Sequence, residues 1–173
     1  MSLAIRLDTP TAGSGAAVTA PRRYLVVALC GIGPHSQPAC DEFLPWLGDL
    51  GVRRVTLRLA ACGCGAAELG ERPSFRRWLQ AKADAGHAIV PTDPPPAAGP
   101  KAAVLDLSSS TFGRRTLSCL RARLRFSLSR SAPLLRLSLR PDDLYDPALR
   151  GTVAALVRRS LRDRAMVTEE ELA

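Results

Sequence analysis

Residues 24–34, "YLVVALCGIGP", decide how this chain folds. Six consecutive apolar residues, Tyr24 to Leu29, run without a polar break into Cys30, Gly31, Gly33 and Pro34. The run is far shorter than a membrane span and reads as a buried strand of an α/β sheet feeding a turn. In such sheets ligands gather at the carboxyl ends of the strands. A strand ending in Cys-Gly therefore poses a chemical question, because few of the usual catalytic residue types follow it.

Working outward, Ala39, Phe43, Trp46, Leu47 and Leu50 recur at helical spacing, and Gly51 supplies a stop. In "RRVTLRLA", Val55, Leu57 and Leu59 alternate with Arg54, Thr56 and Arg58, which predicts a second strand. A Gly-rich loop, Cys62 to Gly70, leads to Ser74 as the expected N-cap of a helix carrying Phe75, Trp78, Leu79 and Lys82. "HAIV" reads as a third strand, "AAVLDL" as a fourth and "LLRLSL" (134–139) as a fifth. Between the last two, Arg114 to Ser129 fits a helix, although Leu124, Phe126 and Leu128 also alternate like a strand. Asp146 caps a helix with Pro147 in its first turn and Leu149, Val153, Leu156, Val157 and Leu161 on one face. Val167 marks a last short strand or turn, and "TEEE" is a capping box from Thr168 to Glu171.

Strands alternating with helices predict an α/β fold, either a shortened, distorted (β/α) barrel or an open, mostly parallel sheet. The chain of 173 residues is long enough for one such domain, expected over 22–173. Residues 1–21, rich in small, Gly and Pro residues, read as a flexible arm, and the proline run at 91–100 excludes a regular element. Neither a signal-peptide block nor a membrane-length apolar run is present, so a cytoplasmic location without a membrane partner is expected, with the five cysteines as reduced thiols or metal ligands. The net charge of +8 is carried almost wholly by arginine, since Lys82 and Lys101 are the only lysines. Such a balance raises nucleic acid as a partner, but a solvated arginine-rich surface accounts for it better, since alanine and leucine abound along with arginine.

The nucleotide-binding motifs fail on inspection. Gly31 and Gly33 follow a strand, but Ser36 stands where a third glycine belongs and no acid ends the second strand. His35 reads as a solvated turn residue, and His87 as a cation placed after a helix end. Cys30, Cys62 and Cys64 all fall at expected strand ends, where three thiolates would suit zinc, but Cys-x-Cys is not the usual zinc spacing. Cys40 and Cys119 read as core or half-buried thiols on helices. Asp142 and Asp143 follow Pro141 as candidate ligands or helix-capping acids.

Several strings together resemble the polysaccharide deacetylase-like family: "RRYLVVALCGIGPHSQPACDEFLPWLGDLGVRRVTLRLA", "PSFRRWLQAKADAGHAIV", "APLLRLSLRPDDLYDPALRGTVAALVRRSL" and "VTEEEL". The resemblance covers about 22–93 and 108–172 and implies a distorted (β/α) barrel with an open metal site at the strand carboxyl ends. It also implies departures at every reacting position. Cys30 and Gly31 stand where the family has His-Asp, and Cys62 and Cys64 where Asp and His are common. Thr92 and Pro96 replace the His-x-x-x-His pair, and Leu139-Arg140-Pro141 replaces Leu-His-Pro. The proline run stands where the family supplies its middle strands.

The resulting expectation is a catalytically degenerate domain acting as a binding or scaffold subunit, with another protein or a second copy completing its open sheet edges. No cofactor is expected; zinc on Cys30, Cys62 and Cys64 belongs to the alternative of a rebuilt metal-dependent deacetylase-type hydrolase. Arg58 and Arg140, with Asp142 nearby, are the candidate ligand-binding residues at the site mouth. A second alternative is a basic nucleic-acid-binding module over Arg114 to Arg140, weakened by its having only Phe112 and Phe126 for base stacking.

Overall fold

A computed structural model of the chain describes residues 23–60, 72–91, 102–107, 124–129 and 131–172. The expected arm, Cys62, Cys64, Thr92, Pro96, Cys119 and most of the Arg114–Ser129 window lie outside these residues. The described elements are β1 (Tyr24–Ile32), α1 (Gln37–Asp49), β2 (Thr56–Leu59), α2 (Pro73–Asp84), β3 (Ala88–Val90), β4 (Ala102–Asp106), β5 (Leu134–Leu139), α3 (Pro147–Ser160) and β6 (Ala165–Met166). A helical turn at 124–128 agrees with the helical reading of that window.

The strands form one sheet in the order β3-β2-β1-β5-β4, and every pairing is parallel. β6 pairs with the start of β1, Tyr24 with Ala165 and Leu25 with Met166. It occupies the edge of β1 that β2 takes over from Ala28 onward. Among the described residues β3 and β4 each have one neighbour only, so these strands make an open sheet and not a closed barrel.

The two faces of the sheet differ in chemistry. Leu25, Val27 and Leu29 of β1 join Leu57, Leu105, Leu135, Leu137 and Leu139 in one apolar cluster with Phe43 and Leu47 of α1 and Val153 and Val157 of α3. Each such side chain contributes roughly 1.5–3 kcal/mol on burial. Val26 and Ala28 are equally buried but point away from that cluster. Around Phe43, Tyr145 lies edge-on at 4.9 Å, and the Arg150 guanidinium stands over both Phe43 (5.4 Å) and Trp46 (5.0 Å). α2 is tied to α1 by Trp78 Nε1 and Lys82 Nζ, each 2.8 Å from Asp41.

Turn chemistry follows the sequence at most element ends. Gly51 takes φ +95° after α1, and the Asp146 carboxylate accepts from the N–H groups of Ala148 and Leu149. β1 runs three residues beyond Leu29 through an irregular register between Cys30 and Ile32, where Gly31 holds φ +77°. That backbone conformation admits glycine and strains any other side chain. Ser74 is not the N-cap of α2: Arg72 precedes Pro73 there, because proline at the first position starts the helix two residues earlier.

Two polar residues hold the amino-terminal side of the sheet. Arg164, only 7% exposed, donates to the carbonyls of Tyr24, Ala132 and Ser129. His87 is structural, as its position after α2 implies, but not as a cation. Its Nδ1 accepts from the Val55 N–H at 3.2 Å, and burial, reinforced by Lys82, lowers its pKa below the ordinary 6.5.

Arg164→Met keeps the apolar stem and deletes the donors, so it is expected to cost about 2–3 kcal/mol, read as a lower urea midpoint at unchanged m. Exposed Arg53→Met should stay within about 0.5 kcal/mol. For His87 the unfolded chain binds a proton that the folded chain resists. Stability is therefore full above the unfolded value and falls with pH toward the lower folded value. Urea midpoints should drop between about pH 7 and pH 5, and His87→Asn, which keeps an acceptor without titrating, should flatten that drop.

Candidate functional site

The alternation that makes β2 and β5 strands also decides what lies on the face away from the helices. With Val55, Leu57, Leu135 and Leu137 turned to the core, Thr56, Arg58, Arg136 and Ser138 take the opposite side. Register places Arg58 level with Cys30 and Arg136 level with Val26, on the two strands flanking β1. Two guanidiniums thus flank a strip of β1 side chains in which Val26 and Ala28 are fully buried.

Their counter-charge is Glu169. Its Oε2 lies 2.9 Å from Arg58 Nη2, and its Oε1 lies 2.8 Å from Arg136 Nε. The Glu169 side chain is 9% exposed and those of Arg58 and Arg136 are 23% and 17% exposed, so all three charges are largely out of water. At these separations each ion pair is worth about 5–6 kcal/mol at an effective dielectric near 20, most of which desolvation takes back.

The segment after β6 delivers Glu169 to this place. Ala165 N–H donates to Arg23 O and Val167 N–H to Leu25 O, continuing the ladder along β1. The chain then crosses to β2, where Glu169 N–H donates to Thr56 Oγ1 at 3.2 Å. Beyond it one half of the predicted capping box forms: Glu171 Oε2 accepts from Thr168 N–H at 2.7 Å, while Thr168 Oγ1 donates to the same oxygen at 3.2 Å. Glu171 also pairs with Arg54 at 2.7 Å. The Thr168 N–H is the largest influence holding the Glu171 carboxyl below its ordinary pKa.

The sequence-selected residues fall around this cluster unequally. Arg58 lies within it. Arg140 and Asp142 are exposed at the carboxyl end of β5, in and before the turn Pro141–Tyr145. Cys30 is half-buried at the end of β1, and Cys62 and Cys64 lie outside the described residues. Cys40 is buried, and desolvation pushes its thiol up to about 12, which leaves it protonated and unreactive. Among the described residues no group of three or more His, Cys, Asp or Glu is arranged to hold a metal ion, and no helix is long and apolar enough to cross a membrane. Sequence reasoning missed Arg136 and Glu169. The signal available was an arginine at an out-of-core position in each of two predicted strands, which calls for a carboxylate from elsewhere.

No family model, no curated protein and no solved structure matches this chain.

Glu169→Ala leaves two largely buried guanidiniums without their carboxylate and is expected to cost about 3 kcal/mol in urea unfolding. Glu170→Ala, one residue on and exposed, should change stability by less than about 0.5 kcal/mol.

Proposed function

We propose that this chain is a non-catalytic binding domain, a shortened and degenerate form of the polysaccharide deacetylase-like type, which associates with a second copy of itself through the open edge of β4. The observation that carries the non-catalytic part is the Arg58–Glu169–Arg136 cluster. On the sheet face turned away from the helices, with Arg58 level with Cys30 near the carboxyl end of β1, the described residues present two guanidiniums held by one carboxylate. That arrangement is net positive and repels the divalent ion on which a deacetylase-type hydrolase depends. The backbone at Gly31, with positive φ, likewise disfavours an acid at the end of β1.

The association follows from the edge. β4 pairs with β5 alone among the described residues, its Val104 is 44% exposed, and Asp106 is the only charge in the strand. Edge strands with few charged or proline guards pair readily with other strands, and Asp106 is the single such residue in β4. A two-fold pairing of β4 with its own copy places the same short segment on both sides and needs no other species.

Sedimentation of the reduced protein across the micromolar range tests this reading. A monomer–dimer equilibrium is expected, shifted to monomer by Val104→Lys without loss of fold. A wild-type monomer throughout overturns the self-association. Stoichiometric zinc, lost in Cys62→Ser with Cys64→Ser, would replace the reading with a thiolate-zinc hydrolase.

A further inference from the structure

The outer face of α3 carries a feature separate from the β4 edge. A cavity of about 590 Å³ opens there, with Phe126 and Ala155 as its apolar part and Arg158, Arg159, Arg162, Asp163 and Arg164 as its polar part. A second cavity of about 290 Å³ shares Phe126, Ala155 and Arg159 with it. Pockets that take small molecules run from roughly 300 to 1,000 Å³, so the space exceeds what a bare ion requires.

Its charge is one-sided. Among the described residues that line it, four guanidiniums face one carboxylate, and Asp163 is shared with Arg23 at 3.5 Å. The carboxyl end of α3 contributes about half a negative charge, which the four cations outweigh. Among the described residues no carboxylate lies within ion-pair distance of Arg158, Arg159 or Arg162. Arg158 sits in the last turn of α3 and Arg162 in the turn that follows it, and both line the cavity. Arg164 is fixed by its three carbonyl contacts and Arg159 stands 5.9 Å over the Phe126 ring, so two of the four cations are already positioned. Arginine's planar fork matches the oxygens of a phosphate in pairs, with less entropy lost than a lysine would lose.

We propose that this cavity binds a phosphorylated small molecule, with the phosphate between Arg158 and Arg162 above Arg164 and a compact planar or apolar body against Phe126 and Ala155. The site lies apart from the proposed self-association, and Val104→Lys should leave its binding unchanged.

Isothermal titration with AMP, orthophosphate and pyrophosphate at one fixed ionic strength tests it on the full chain. AMP is expected to bind one to one and more tightly than orthophosphate. Arg158→Ala with Arg162→Ala should weaken AMP at least about tenfold, since two charge-assisted contacts are lost. Arg76→Ala with Arg77→Ala removes the same charge from exposed positions on α2 and should change binding less than about twofold. Equal weakening by the two double variants would reduce the effect to net charge and overturn the site. So would orthophosphate binding as tightly as AMP, or no AMP binding up to millimolar concentration. Binding of duplex DNA with a steep salt dependence, in the absence of AMP binding, would make this a nucleic-acid surface and overturn the small-molecule site.

Discussion

Everything in this fold is arranged around the burial of β1 on both faces. Its odd-numbered residues, Leu25, Val27 and Leu29, are served by ordinary apolar packing from α1 and α3. Its even-numbered residues are covered differently, because the strands on either side bring arginines to that face. A cation pair flanking a buried strand is tolerable only with a carboxylate between its members, and Glu169 meets that condition. One face is thus held by non-directional burial and the other by three charges in a fixed geometry. Ion triads of this kind contribute more to the uniqueness of an arrangement than to net stability, which here means fixing the crossing of the segment after β6.

The positive charge of the chain takes on a different meaning once its arginines are located. Arg58 and Arg136 answer Glu169, Arg54 answers Glu171, Arg164 serves backbone carbonyls, and Arg150 covers two aromatic rings. These are internal contacts of a protein with almost no lysine, and they explain why a net charge of +8 need not announce a polyanion partner. What remains concentrated and without carboxylate partners among the described residues is the end of α3, where Arg158, Arg159 and Arg162 surround a cavity instead of lying flat on the surface.

The parallel α/β architecture was legible because it rests on local periodicity. "LLRLSL" alternates and forms β5 over the residues expected, Asp146 and Pro147 start α3, and Gly51 closes α1. Where a choice between two nearby caps mattered, at Arg72 and Ser74, propensity favoured the wrong position because the intervening proline was decisive. His87 was correctly read as structural but wrongly as charged, since its partner is a backbone N–H 32 residues away that no local pattern reveals. Of the candidate site, Arg58 was visible as an out-of-core residue at a strand end. Glu169 was not, because its role depends on a contact across 111 residues. Arg140 and Asp142 were correctly placed at the end of β5, yet the same periodicity says nothing about what they meet.

The route taken by the segment after β6 has a consequence for how the chain is made. β1 leaves the ribosome well before its flanking strand β5, which begins 110 residues after Tyr24, and the carboxylate that neutralises its polar face lies further on still. At synthesis rates of about 5–20 residues per second, that interval lasts roughly 5–20 s. Throughout it the apolar run Tyr24–Leu29 has at most one neighbouring strand, and Arg58 has no counter-charge from Glu169. Short apolar β-formers exposed for that long are aggregation hazards. Until then β2 is the one flanking strand of β1 already synthesised, and pairing with it is the cover that the order of synthesis leaves to the run.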